Sequence, residues 1–465
     1  MLGRSMPRLS ALRTLCRSAR GAGPSTELLI EEFGKRPVAP RDRDLARELV
    51  QGTWRLRGSL DCVLATCSQR PLADLDAAVL WALRLGAYQA LALDRVPPRA
   101  AVHTTVEALK RTRSKHATGF VNAVLRRTSE LRLEVEDEAE HPEEPCCRLP
   151  RGDGQCTVLS RDVFPPAADG QAAHLAARWS HPEWFVERLL EAYSLDQTIQ
   201  VLKAGLARPY LSLRPSPESR DALVAALTEA EIAFETEEPC LVLPSAGRVE
   251  DLPGFEQGWF NVQGPTAASV VPALDLQPGE GVLDLCAAPG GKTLAIAAAV
   301  GSKGIVLAVD SSDERLERLR ATVAQRGLAQ VAVVIADATD PSSLPSGLAS
   351  RGQPGFDAVL VDVPCSNSGV FGRRVEARWR LKSLDRVTML AEQGAHLLMV
   401  AADKVRRGGR VVFSTCSIDR IENQDVVASF LAEDNEFRLV KEQLTLPVLG
   451  RRDGGYHAVL RRKGK

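Results

Sequence analysis

From residue 281 onward the chain alternates. Gly281-Val282-Leu283-Asp284-Leu285 is a short apolar run, and Cys286-Ala287-Ala288-Pro289-Gly290-Gly291-Lys292-Thr293 is a turn of small residues leading into a helical pattern. Further apolar runs at 305–309, 331–335, 358–361 and 410–413 are separated by helix-length segments. Strands buried on both faces must be apolar throughout, and a parallel neighbour is reached only by a long crossover, so the pattern predicts a doubly wound parallel α/β sheet. Ligands of such sheets sit beyond the carboxyl ends of the strands. Asp284, Asp310, Asp337, Asp362 and Cys416 all fall at or just past those ends, and five polar groups are expected in one crevice.

The small-residue turn has neither the G-x-G-x-x-G pattern nor the phosphate loop, and by itself says only that something approaches the backbone closely. The acids add more. Asp310 ends the second strand 20 residues after Gly290, where a carboxylate can accept both hydroxyls of a ribose. Asp337, after the third strand, can accept from an adenine amino group. Each aspartate alone reads equally well as a helix N-cap. Together they fit an adenosine-bearing ligand whose charged part is not a polyphosphate, and S-adenosylmethionine is the candidate cofactor.

Two motifs carry the chemistry, Asp362-Val363-Pro364-Cys365-Ser366 and Ser414-Thr415-Cys416-Ser417, their cysteines 51 positions apart. Both follow apolar strands, so both thiols are expected at the rim that holds the cofactor. A cysteine suits attack on an electron-poor pyrimidine carbon because its thiolate is soft and partly present near neutrality. Addition at C6 of cytosine makes C5 able to take a sulfonium methyl group, while Asp362 at ring N3 would stabilise the building charge. Either cysteine alone reads equally well as a small buried hydrophobe. Two of them at strand ends beside an aspartate weaken that alternative.

The rest of the chain has a different character. Lys+Arg and Asp+Glu balance at 59 each overall, yet residues 1–130 hold 22 basic against 12 acidic residues. Helical periodicity at 43–56, 77–92, 98–111 and 119–130 predicts an all-α bundle whose excess charge suits phosphate backbones. Leu9, Leu12 and Leu15 recur at helical spacing, so the arginine-bearing N-terminus reads as a first helix in preference to a transit peptide. Seven acids between Glu134 and Glu144 open a stretch read as a linker. After it come helical patterns at 184–193 and 222–233 and strand patterns at 210–214 and 240–243, a small α+β domain. The expected division is 1–133, 134–175, 176–262 and 263–465. With 45% apolar and 25% charged residues the composition excludes chain-wide disorder. The apolar segment 294–300 is bracketed by Lys292 and Lys303, far short of the ~18 apolar residues of a membrane helix. Ten scattered cysteines at no metal-ligand spacing predict no zinc and no disulfide framework. A cytoplasmic monomer is expected.

The runs LDLCAAPGGKT, Asp310 with Arg315 after it, Asp337, DVPCSNSGV and FSTCSIDRIENQ resemble the motifs of RNA cytosine-5 methyltransferases. RDRDLARELVQGTWRLRGSLD, LRLGAYQALALDRVPPRAAV and GFVNAVLRR resemble the NusB-like RNA-binding domain fused to the bacterial 16S rRNA enzymes of the Sun/Fmu (RsmB) type. HPEWFVERLLEAY and YLSLRPS resemble the small middle RNA-binding domain of that family. The resemblance implies a NusB-like bundle, a small α+β domain and a Rossmann-like class I methyltransferase domain. It also implies 16S rRNA as partner, Cys416 as nucleophile and Cys365 as the group assisting product release. A cofactor site of Cys286, Ala287, Ala288, Pro289, Gly290, Gly291, Lys292, Asp310, Arg315, Asp337 and Asp362 follows. Arg373, Arg374, Arg378 and Arg380 flank the PC motif, where they would hold RNA phosphates or form a solvated basic helix. Family members often carry a proline where this chain reads Phe371-Gly372-Arg373-Arg374-Val375-Glu376.

Overall fold

The computed structural model describes residues 6–35, 38–138, 146–344 and 354–464. The chain forms two compact units, one of Met1–Arg208 with Phe371–Arg380, the other of Pro209–Val370 with Leu381–Lys465.

The first unit is mainly helical: α1 (Met6–Ala19), α2 (Ser25–Gly34), α3 (Pro40–Arg55), α4 (Arg57–Cys67), α5 (Ala77–Ala92), α6 (Pro98–Leu109) and α7 (Thr118–Glu130). The N-terminal periodicity does form a helix, burying Leu9, Leu12 and Leu15. Helix α5, capped by Asp76 accepting from Ala78 N–H, is apolar on nearly every side and is buried from Trp81 to Ala92, as a central helix must be. Gly86 on it lets α7 come close: a Cβ there would lie 2.3 Å from Leu125 Cδ1.

The expected linker is not featureless. β1 (Arg132–Asp137), β2 (Arg148–Pro150) and β3 (Gln155–Leu159) form an antiparallel sheet in the order β1-β3-β2. Its acids are met by arginines, Glu136 by Arg148 and Glu138 by Arg178 at 3.5 Å, and Thr157 Oγ1 donates to Leu91 O of α5 at 2.8 Å. Acid-rich strands are disfavoured by propensity, so pairing partners distant in sequence decide the outcome. Glu140, Glu143 and Glu144 lie outside the described residues. Next come α8 (Gln171–Arg178), α9 (Glu183–Ala192) and α10 (Leu195–Leu206), the last begun by a Ser194/Gln197 capping box. Of these, α9 and α10 fall within the stretch 176–262 read from sequence as the small domain, while α8 spans its expected boundary with the linker; all three belong to the first unit. Ser59 Oγ donates to Ala177 O and Arg178 O at 2.9 and 2.8 Å, tying α4 to the end of α8.

In the second unit β4 (Leu211–Pro215), β5 (Glu235–Glu237), β6 (Cys240–Leu243) and β7 (Phe260–Val262) pair antiparallel in the order β5-β6-β4-β7. Leu223 and Leu227 of the helix Arg220–Glu229 share a core with Leu213, Leu241, Leu243 and Phe260. The larger sheet contains β8 (Gly281–Leu285), β9 (Ile305–Asp310), β10 (Val331–Ile335), β11 (Phe356–Asp362), β12 (Val405–Thr415), β13 (Phe437–Thr445) and β14 (Gly455–Arg462), ordered β10-β9-β8-β11-β12-β14-β13. The first five are parallel, but β14 runs antiparallel to β12 and β13. The sheet is therefore mixed, not wholly parallel: β13 and β14 are joined without a crossover helix, and such a connection yields an antiparallel pair. Among the described residues no helix is long and apolar enough to cross a membrane.

Candidate active site

The parallel strands end on one rim of the sheet, and register fixes what lies there. Leu285 pairs with Val309, Val361 with Leu285, and Asp362 with Ser414. Asp310 and Asp362 are the last residues of their strands, and Cys416 is one past the end of β12.

At β8 the chain turns through Cys286 (φ 64°) into Gly290 (φ 106°) and the helix Gly291–Val300. Gly290 is required twice over, by its positive φ and because a Cβ there would lie 2.5 Å from Leu319 Cδ1. Asp310 fastens the turn: its Oδ2 accepts from Ala288 N–H at 3.1 Å and its Oδ1 from Ser312 N–H at 3.0 Å. Arg315 lies 3.7 Å from the same carboxylate and donates to Ala288 O at 2.6 Å. Asp337 is exposed, and its Oδ1 accepts from Thr339 N–H and Oγ1 at 2.9 and 2.7 Å. The Cys286 thiol is pushed up to about 12 by burial and then by Asp362, Asp310 and Asp284. It is no thiolate, and lines the turn as a neutral group.

Asp284 is wholly buried. Its Oδ2 accepts from Thr293 Oγ1 at 2.6 Å, while its Oδ1 has no partner among the described residues. Burial pushes its carboxyl up to about 7 against the pull of Thr293 and Lys292. A half-satisfied buried carboxyl is costly. A ligand bringing positive charge to this turn would relieve it, and S-adenosylmethionine, with its sulfonium and ammonium, is such a ligand. The residues present thus fit the cofactor: a close-approach turn fastened by Asp310, and an orphaned acid.

Lys292, first-turn residue of the helix Gly291–Val300, donates to Asp362 Oδ2 at 2.6 Å, and Asp362 Oδ1 accepts from Ser414 Oγ at 2.6 Å. Burial opposes the charged lysine, yet Asp362 first, then Asp284 and Cys416, raise it above its ordinary value. Both residues are expected at the cofactor site from the sequence, but their pairing with each other is not.

The two motif cysteines meet. Sγ of Cys365 and Sγ of Cys416 are 3.0 Å apart, both free thiols, with Cys365 buried and Cys416 partly exposed. Cys416 Sγ donates to Asn367 Oδ1 at 3.3 Å, and Asn367 (φ 64°) donates from Nδ2 to Cys365 O at 2.8 Å. The Cys365 thiol is held well above its usual range, first by its hydrogen bond with Cys416, then by burial and by Glu422. Beneath them lies a network the sequence reading did not anticipate. Glu422 Oε1 accepts from Ser366 N–H at 2.6 Å, and its Oε2 accepts from Ser366 Oγ and Ser417 Oγ at 2.5 Å each. Asn423 accepts from Thr415 Oγ1 at 2.6 Å and donates to Ser417 O at 3.0 Å. The only signal was that serines follow both cysteines and that Glu-Asn closes the second motif.

The arginines after the PC motif divide. Arg378 is 0% exposed, packed in the first unit, where it donates to Ser180 O, Phe371 O and His181 Nε2 at 3.1 Å each and also to Gly205 O. The RNA-contact expectation fails for it because its fork is spent on backbone carbonyls. Arg380 is exposed, though its guanidinium donates to Gly23 O at 2.6 Å. Arg374 is exposed and Arg373 half-buried.

Comparison with known proteins identifies the family and the fold. Residues 271–455 match the family described as 16S rRNA methyltransferase RsmB/F, residues 5–130 the NusB family, and residues 181–250 the RsmF/B-like ferredoxin-like domain. Ribosomal RNA small subunit methyltransferase B of Yersinia enterocolitica is 32% identical, covering 92% of both chains. A probable ribosomal RNA small subunit methyltransferase B of Synechocystis is 30% identical over 89% of this chain and 86% of its own. The crystal structure of PH0851 shares the fold with a TM-score of 0.75 at 22% identity, covering 99% of each chain. Family members take their methyl group from S-adenosylmethionine. With a NusB domain at its start, a ferredoxin-like domain in its middle and an RsmB/F methyltransferase domain at its end, the chain belongs to the ribosomal RNA small subunit methyltransferase B family.

Proposed function

We propose that the protein methylates C5 of a cytosine in RNA, that the RNA is 16S rRNA, and that the reaction proceeds through a covalent bond from Cys416 to C6. The observation that carries the reading is the 3.0 Å approach of the two motif sulfurs on the rim that also holds Asp362 and Lys292. The names of the relatives supply the choice of small-subunit RNA.

In this mechanism Cys416, the more accessible sulfur, attacks C6 as a thiolate, and the C5–C6 π pair moves onto C5. Asp362, fixed by Ser414 and Lys292, faces the N3 edge of the ring and holds it while charge builds there. When bound, S-adenosylmethionine supplies an electrophilic methyl group to C5. The C5 proton then leaves to a base, the electron pair re-forms the double bond, and the Cys416–C6 bond breaks. Cys365, kept as a thiol by its neighbours, hands a proton to the departing Cys416 sulfur. Cys286 to Lys292, Asp310, Arg315, Asp337 and Asp362 would hold the donor, with Asp284 beneath it. A single-stranded or flipped base suits the site, since C6 must leave its stack to reach a sulfur. Arg373, Arg374 and Arg380, together with the basic helical unit, are the proposed phosphate contacts, and a cytoplasmic location suits the substrate.

The test is incubation of the full chain with labelled S-adenosylmethionine and small-subunit RNA, followed by bisulfite mapping. Label at C5 of one 16S cytosine is expected. Binding of the RNA without incorporation would make the protein an assembly factor that keeps only the fold, and label confined to transfer or large-subunit RNA would change the substrate.

A further inference from the structure

Glu422 is 2% exposed and lies on the short turn between β12 and the helix Gln424–Glu433. A buried carboxylate is expensive to keep, and an apolar side chain would fill the same volume. What the carboxylate does instead is visible in its partners. They are the residues immediately following each cysteine: the backbone N–H and hydroxyl of Ser366, and the hydroxyl of Ser417. Around this junction Ser368 Oγ and Ser417 Oγ lie 2.9 Å apart, Ser368 Oγ accepts from Ile418 N–H at 2.9 Å, and Gly369 N–H donates to Cys416 O at 3.0 Å. There is no slack at the crossing, for a Cβ on Gly369 would lie 2.5 Å from Gly454 C.

We propose that Glu422 is a positioning residue of the two-thiol centre: by bonding the loop of Cys365 and the loop of Cys416 at once, it fixes the separation of the sulfurs and distinguishes their roles. This rests on the cytosine-5 reading above. The two loops come from different strands, β11 and β12, and Glu422 joins them at the residues next to the sulfurs, whereas the Ser368–Ile418 and Gly369–Cys416 bonds join them farther along the Cys365 loop; a small error in sulfur placement is costly to the rate. The negative charge has a second effect, because Glu422 joins Cys416 and burial in keeping Cys365 a thiol. The neighbouring charges are Asp419, which acts on Glu422, and the Lys292–Asp362 pair beside Cys416. Burial raises the Glu422 carboxyl while the two serines oppose that rise, as expected of an acid whose work needs three donors.

The experiment compares the full-length wild type with Glu422→Gln and Glu422→Asp by three measurements. These are iodoacetamide alkylation of Cys365 and Cys416 read by mass spectrometry without RNA, S-adenosylhomocysteine affinity, and single-turnover methyl transfer to small-subunit RNA. Loss of the charge in Glu422→Gln should raise Cys365 alkylation at fixed pH by up to about tenfold. Glu422→Asp, charged but one methylene short, should leave that alkylation within about twofold of wild type and still slow methyl transfer by about tenfold or more. Both variants should bind S-adenosylhomocysteine as wild type does. Equal Cys365 alkylation in Glu422→Gln and wild type overturns the proposal. So does loss of S-adenosylhomocysteine binding in step with methyl transfer, which would make Glu422 a residue of the fold alone. If wild type transfers no methyl to RNA, the cytosine-5 reading fails, while the alkylation pattern still decides whether Glu422 sets the sulfurs apart.

Discussion

Each compact unit buries charge, but in different company. In the sheet unit, Lys292 meets Asp362, Glu422 meets two serine hydroxyls and an N–H, and Asp284 keeps one oxygen unpartnered. In the helical unit, Arg378 is surrounded by carbonyls and His181, and the half-buried Arg57 lies 4.7 Å over the Trp379 ring and 5.6 Å over Trp54, with no carboxylate bonded to either among the described residues. Burial and then a neighbouring arginine lower them to about 9 and about 10, still charged at neutrality. His181, held well below its usual value by burial and Arg378, donates from Nδ1 to Trp179 O at 2.6 Å and accepts from Arg378 at Nε2. Groups around the thiols are placed where a proton or charge can move. Arg378 and Arg57 are placed so that none does. Burial of a charge is thus no sign of chemistry until its neighbours are known.

The sharpest way to break the contrast is to remove a sulfur. Cys416→Ala should abolish methyl transfer, by about a thousandfold or more, and eliminate the RNA adduct on denaturing gels, while the melting temperature hardly moves. Cys365→Ala should instead accumulate that adduct. The reverse pattern would exchange their roles.

The helical unit should respond in stability and not in donor binding. Arg378→Leu removes donors from three carbonyls and should cost about 3 kcal/mol, read as a lower denaturant midpoint. S-adenosylhomocysteine affinity should stay near wild type. Lost affinity with unchanged stability would sink the distinction drawn between the units.

Asp284 offers an effect that depends on pH. Its folded carboxyl sits at about 7 against an ordinary 3.8, so the folded state binds the extra proton. The stability it contributes is complete below about pH 4 and is lost as pH rises toward 7. Asp284→Asn, keeping the Thr293 bond, should therefore gain on wild type across that window by about 4 kcal/mol and stay level above it. Calorimetric scans from pH 4 to pH 8 check the slope, and a gain that grows toward acid would have the wrong sign.

The smallest effect is expected outside both cores. Arg373→Ala with Arg374→Ala should weaken RNA binding a few-fold and lower the slope of log affinity against log salt by at most about 2, with melting unchanged. A slope identical to wild type would remove these two from the contact set.

Much of this was legible beforehand, for stated reasons. β6 (Cys240–Leu243) and α5 coincide with the apolar patterns that predict them, because each is buried on nearly every side and must be written in apolar residues; β10, an edge strand with Ile335 exposed, also falls where its apolar run predicts. The meeting of Cys365 and Cys416 followed from two strand ends on one rim. The strands of the acidic segment were hidden because Arg148 and Arg178, which stabilise Glu136 and Glu138, carry no local mark of that task. Arg378 misled for the same reason: a guanidinium written among exposed-looking residues gives no hint that carbonyls from 180 and 205 await it. Glu422 was quoted within a motif yet given no role, since a carboxylate six residues past a cysteine reveals nothing of the serine across the sheet.

The ten residues Phe371–Arg380 leave the sheet unit's sequence and are counted with the helical unit, where Glu376 accepts from Ser25 N–H and Oγ at 2.8 and 2.9 Å and Trp379 donates to Trp54 O at 3.2 Å. The modules are therefore not beads that scissors can separate. A shortened chain starting at Pro209 would carry an orphaned decapeptide with a tryptophan and four arginines, its Glu376, Arg378 and Trp379 stripped of their partners. Anyone shuffling domains between relatives must transplant that decapeptide together with the N-terminal half, or inherit a mismatch in the middle of the catalytic part.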